Sequence, residues 1–270
     1  MPGNQQRWRR LEESKKRLLF TLIQLGVPLE NGWDAPDTGL LMDFIEDERS
    51  AGPYTENFVH TGYLGGIITI NALEADDAAR EAQRLQMNEN YRTVLGHLRH
   101  ESGHYYWQRL NPDETLRAEF TIVFGDESEN YQQALDRYYA NGPEAGWRDR
   151  HISAYASAHP AEDWAESWAH YLHMITALNT AAHCGLGVQP RRDDEPRLTL
   201  DAAEPQHRRR FDALIADWLA LTYVLNNLDR SLGLSDSYPF VLAQDEASNF
   251  TVCFDAAFSG WNQQDGRDLF

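Results

Sequence analysis

The stretch His100-Glu101-Ser102-Gly103-His104 constrains this chain more than any other. It reads H-E-x-x-H. Histidines four residues apart act together when the backbone between them is helical, because both imidazoles then leave one face. So placed, they can bind one zinc ion, with Glu101 one residue along and able to reach a water on that metal. The surroundings agree with a helix. Residues 91–110 contain no proline, and Gly96 and Gly103 are their only glycines. Val94, Leu95, Leu98, Ser102, Tyr105 and Arg109 follow helical spacing as a largely apolar stripe. His97, His100, Glu101, His104 and Gln108 fall on the neighbouring face. Asn111-Pro112 ends the run and can cap the next helix. Gly103 costs about 1 kcal/mol relative to alanine inside a helix, and its small size lets another segment approach.

Two histidines hold a metal poorly, and catalytic zinc takes three protein ligands with one position left for water. The best remaining donors lie on a second helix, which Pro160 opens at its first turn and which runs to about Leu178. Ala161, Trp164, Ala165, Trp168, Leu172 and Ile175 form its apolar stripe. Glu162 and Glu166 are four apart, so both carboxylates face one way. One can bind the metal, and the other can hydrogen-bond the free ring nitrogen of a ligand histidine and fix its tautomer. Asp163 and Glu166 are the rival ligands to Glu162. His170 and His173 share that face but lack a further donor, so they read as structural or pocket-lining. His60, His97 and His159 also read as structural. Asn226, Arg230 and Tyr238 are C-terminal residues that could approach the site.

These residues resemble a known pattern. H-E-x-x-H with a glutamate on a second helix is the gluzincin arrangement of zinc metallopeptidases. The local fit is closest to the branch that includes anthrax lethal factor. There a tyrosine stands seven residues before the ligand glutamate and an acidic residue four after it, the intervals of Tyr155, Glu162 and Glu166 here. The wider strings 98–107 and 162–171 resemble a bacterial family of zinc-binding metallopeptidases over most of the chain, a family whose activity is itself a prediction. The resemblance implies His100, His104 and Glu162 as ligands of one Zn2+ ion. It implies Glu101 as general base, Tyr155 as the hydroxyl that stabilises the oxyanion, and Glu166 as partner of a ligand histidine. It also implies an N-terminal zinc ribbon of paired cysteines. That ribbon is not in this sequence, whose two cysteines, Cys184 and Cys253, lie far apart.

The rest of the chain frames that site. The expected fold is α+β, mostly helical and zincin-like, with a small sheet beside the H-E-x-x-H helix. We expect one domain over 1–270, with an N-terminal helical part to 60, a catalytic core at 61–180 and a C-terminal helical part from 181. Residues 7–25 make an amphipathic helix burying Trp8, Leu11, Leu18, Leu19, Leu22 and Ile23. Residues 40–46 read as a strand or short helix. The β-branched run Ile67–Asn71 after Gly65-Gly66 reads as a strand, and it resembles the edge strand on which zincins align an extended peptide. Helices follow over 73–86, 113–124, 127–140 and 207–228, although the Phe-Thr-Ile-Val-Phe end of 113–124 could equally be strand, with 184–205 an exposed loop and an apolar tail from 239 to 258.

A net charge of -18 disfavours nucleic acid and anionic membrane, which call for clustered Lys and Arg. No apolar run approaches ~20 residues, so no span is expected. The charged N-terminus lacks an apolar signal core, and the expected compartment is cytoplasmic. The expected partner is a peptide or protein substrate. The rivals are hydrolysis of a non-peptide amide or ester at the same metal, and a catalytically inactive binding module.

Overall fold

The computed structural model describes residues 3–46, 59–86, 93–192, 196–202 and 210–240. They are mostly helical with one three-stranded sheet, an α+β architecture as the sequence predicts. They divide into two compact units, one up to Arg117 and one from Ala118.

The first unit opens with α1 (Asn4–Leu25), which Gly26 ends in a left-handed turn. Leu11, Leu18, Leu22 and Leu25 are buried, spaced by seven, four and three residues along one helix face. Trp8 and Ile23 belong to the expected buried face, yet both are more than half exposed. Trp8 instead sets its ring edge-on to Phe44 at 5.8 Å.

The sheet holds β1 (Leu41–Ile45), β2 (Gly62–Leu64) and β3 (Ile67–Asn71). Its spatial order is β1-β3-β2, parallel on one side and antiparallel on the other. This corrects the edge-strand expectation for Ile67–Asn71. That run is the middle strand, and its backbone is already engaged on both sides. Fully buried Ile68 and Ile70 explain why: the apolar centre of a small sheet is its inner strand. Strands β2 and β3 form a hairpin closed by Gly65 and Gly66, with φ of 55° and 86°. A two-residue loop of this hand needs positive φ at both positions, which glycine adopts without a Cβ clash.

The helix expected over 73–86 is two pieces. A 3-10 turn covers Ala72–Ala75, and α2 (Asp77–Gln86) follows it. Asp76 divides them because its Oδ1 accepts the N–H groups of Ala78 and Ala79, an N-cap that starts a new helix. α3 (Val94–Leu110) packs against α1, β2 and β3. α4 (Glu114–Phe124) is helical to its end, with Asp113 rather than Asn111 as cap.

In the second unit, α5 (Tyr131–Asn141) starts four residues later than expected, at an Asn130 cap. Residues 147–158 contain two 3-10 turns, Trp147–Asp149 and Tyr155–Ala158. α6 (Pro160–His183) begins at Pro160 as predicted and runs beyond Leu178. It packs against the Tyr155–Ala158 turn and against α7 (Phe211–Ser231). Trp164 and Trp168 stack along α6, with Phe120 and Phe124 of α4 against Trp164. The 184–205 segment is not wholly exposed, because buried Leu198 bridges to Val188. The apolar tail expected from 239 to 258 lies outside the described residues from 241 on. Among the described residues no helix is long and apolar enough to cross a membrane.

Candidate metal centre

The histidine half of the site is built on α3. Thr93 starts this helix by accepting the Gly96 N–H at 2.9 Å. Its far end is pinned by two phenols. Tyr105 donates to the Thr38 carbonyl at 2.8 Å, and Tyr106 donates to the Pro28 carbonyl at 3.2 Å. Burial raises the pKa of both phenols above the ordinary tyrosine value, so both keep the proton they donate. The apolar stripe understates how deeply α3 sits: Arg99, Glu101, Gly103, Tyr106 and Trp107 are buried as well.

On this frame the Nε2 atoms of His100 and His104 lie 3.2 Å apart. Two nitrogens on one tetrahedral zinc, each about 2.0–2.1 Å from the ion, stand about 3.3 Å apart. The pair therefore has the spacing that zinc imposes. Buried Glu101 follows His100 directly. His97 is turned to another task, as expected of a structural histidine. Its Nδ1 meets the buried Glu74 carboxylate, which also accepts the Thr61 hydroxyl at 2.6 Å.

The carboxylate half belongs to the first turn of α6. His159 caps that helix: its Nδ1 accepts the Ala161 N–H at 3.1 Å. Its Nε2 therefore carries the proton, which it donates to the Glu129 carbonyl at 3.2 Å. Glu162 is 1% exposed. The Tyr131 phenol, at the start of α5, donates to Glu162 Oε1. Asp163, the rival ligand, is engaged by His151 Nδ1 at 2.9 Å. Burial raises the Asp163 pKa above the ordinary aspartate value, with His151 opposing the shift. Glu166 accepts the Ser153 hydroxyl at 2.6 Å.

Tyr155 lies in the 3-10 turn packed on α6. Burial first, then the charge of Glu162, pushes its phenol pKa far above the ordinary tyrosine range. It therefore stays protonated and can only donate with that proton. His170 is buried and structural: its Nδ1 pairs with the Tyr238 hydroxyl at 2.8 Å, and Phe240 packs on its ring. Asn226 holds the Tyr238 backbone by two bonds, and Arg230 pairs with Asp236. In these contacts the three C-terminal candidates fasten the chain around Tyr238.

His100, His104 and Glu162 each offer one ligand atom, and these atoms lie within 4.8 Å of one another. Among the described residues this is the group of three His, Cys, Asp or Glu side chains that could hold a metal ion. Two imidazole nitrogens and one carboxylate oxygen form a donor set typical of catalytic zinc. Sequence reasoning overlooked Tyr131. Its place in the helical spacing of Tyr131, Leu135, Tyr138 and Tyr139 marks a helix face and not a site, and only its contact with Glu162 reveals its role.

Comparison with known proteins agrees with this chemistry. An uncharacterized protein of Mycobacterium bovis is 43% identical over 234 residues, as are uncharacterized proteins of two Mycobacterium tuberculosis strains. The matches cover 86% of this chain, which spans 64% of the length of each relative. No solved structure matches the chain. The model of a family described as "Putative zinc-binding metallo-peptidase" matches residues 4–252, and the chain belongs to that family.

Proposed function

We propose that this protein is a zinc-dependent peptidase of zincin-like, gluzincin type, hydrolysing peptide bonds with one metal ion. The observation that carries this reading is the convergence of His100, His104 and Glu162 ligand atoms, with Glu101 beside His100 on the same helix. When bound, zinc supplies Lewis acidity and lowers the pKa of a bound water to about 7.

The chain's own residues do the rest. His100 and His104 bind through Nε2, and Glu162 binds through a carboxylate oxygen. Glu101 accepts the proton of the attacking water and passes it to the leaving amine nitrogen. The Tyr155 hydroxyl donates a hydrogen bond to the developing oxyanion. Its burial and the charge of Glu162 favour that role by keeping the phenol protonated. Glu166 steadies a ligand histidine. The substrate is a peptide or protein.

The decisive experiment compares the native protein with Glu101→Gln in zinc content and in cleavage of a diverse peptide library. The native protein should hold about one zinc per chain and cleave. The variant should hold the same zinc and fail to cleave. Equal cleavage by both proteins, or a native protein that retains no zinc, would refute the reading.

A further inference from the structure

Glu162 does not face the proposed metal unaided. Its carboxylate receives the Tyr131 hydroxyl at Oε1. Tyr131 is in turn held where α5 begins. Its ring stands edge-on to His159 at 5.2 Å and 78°. His159 is the cap of α6, and its Nε2 reaches the carbonyl of Glu129, two residues before Tyr131. Glu129 is also paired with Arg137 at 2.6 Å, and Asn130 accepts the Gln133 N–H at 3.0 Å. One histidine therefore ties the first turn of α6 to the residue just before the cap of α5, and the phenol closes the loop onto Glu162. Farther along this largely exposed helix Ala134 is buried, and Tyr138 sets its ring edge-on to Tyr155.

We infer that Tyr131 is a positioning residue for the metal, fixing the orientation of the Glu162 carboxylate before the ion arrives. This rests on the reading of Glu162 as a ligand. A carboxylate on a free rotamer must lose that freedom when it coordinates, whereas one already held by a phenol has lost it on folding. A hydrogen bond to an ionised acceptor is about twice as strong as a neutral one. A carboxylate has about four lone-pair sites, so one phenol leaves others for the ion. Removing such outer partners of a metal ligand typically weakens metal binding by roughly 10- to 100-fold. Tyr131 is 42% exposed, so its phenyl ring contributes little to a core, and its hydroxyl is the part the structure uses.

The test is zinc affinity of the whole chain, measured by competition with a chromophoric chelator. It takes the native protein, Tyr131→Phe, Glu162→Ala and the double variant. Phenylalanine keeps the ring against His159, so the fold is retained. Tyr131→Phe should bind zinc roughly 10- to 100-fold more weakly, and Glu162→Ala more weakly still. In the Glu162→Ala background the second change should have no effect. The visible spectrum of the cobalt-substituted protein should also differ between native and Tyr131→Phe, a change that a purely structural residue would not produce. Native affinity in Tyr131→Phe beside a weakened Glu162→Ala would overturn the positioning role while leaving the metal site standing. An equal loss on adding Tyr131→Phe to Glu162→Ala would show a folding effect and overturn it too. Native affinity in Glu162→Ala would refute both this role and the ligand assignment beneath it.

Discussion

Glu162 is a carboxylate almost wholly withdrawn from water, and such burial is costly unless the charge is met by partners. Two are at hand: the Tyr131 phenol and the N-terminal turn of α6 with its favourable dipole. Neighbouring Asp163 has the same helix end but a different partner, His151, and its raised pKa marks a carboxyl that gains little from ionising. The pair shows how adjacent acids divide work by what each one touches. Tyr155 raises the same issue for a phenol. If its hydroxyl stabilises the oxyanion, Tyr155→Phe should lower kcat by roughly 10²–10³ while leaving zinc content unchanged. Undiminished kcat in steady-state assays would return Tyr155 to a packing role beside Tyr138.

At the level of elements, Asp76 gives a prediction with a defined sign. It caps α2 and pairs with Arg7 of α1 at 3.4 Å. Its pKa lies below the ordinary 3.8, chiefly through the Ala79 N–H. A carboxyl depressed on folding adds stability above its unfolded pKa and loses it as pH falls through the folded one. Asp76→Ala should therefore cost about 1 kcal/mol at neutral pH. The gap to the native protein should narrow below pH 3.8 in denaturant melts at a series of pH values. Elements with strong local chemistry were legible in the sequence. Pro160 announced α6, the proline-free run 91–110 announced α3, and Ile67–Asn71 announced a strand. Strand neighbours were not legible, because a β-branched run looks alike whether one or both of its edges are paired. The capping of α2 by Asp76 was hidden by helix-forming residues on both sides. For the site, residue spacing pointed to the two histidines and the Glu162/Glu166 pair, and the family resemblance singled out Glu162 as the ligand. The phenol on Glu162 depends on where α5 begins, which spacing does not encode.

At the level of the whole molecule, zinc should act as a folding ligand. A ligand present at 1,000 times its Kd stabilises by about 4.1 kcal/mol, which for a chain of this size moves Tm by roughly 10 °C. Stripping the protein with a chelator should lower Tm by that order in calorimetry, and zinc should restore it. Glu162→Ala should show a much smaller difference between the two states. The place of β3 inside the sheet limits what a peptidase of the proposed kind could grip. Among the described residues the rim beside α3 is β2, only three residues long, and at most two of those can turn their N–H and C=O outward. With each such bond worth about 0.5–1.5 kcal/mol net, a guest strand laid there gains only a few kcal/mol from main-chain pairing. Selectivity for one sequence over another would then reside in what its side groups meet, and short or irregular peptides would be handicapped little against long extended ones.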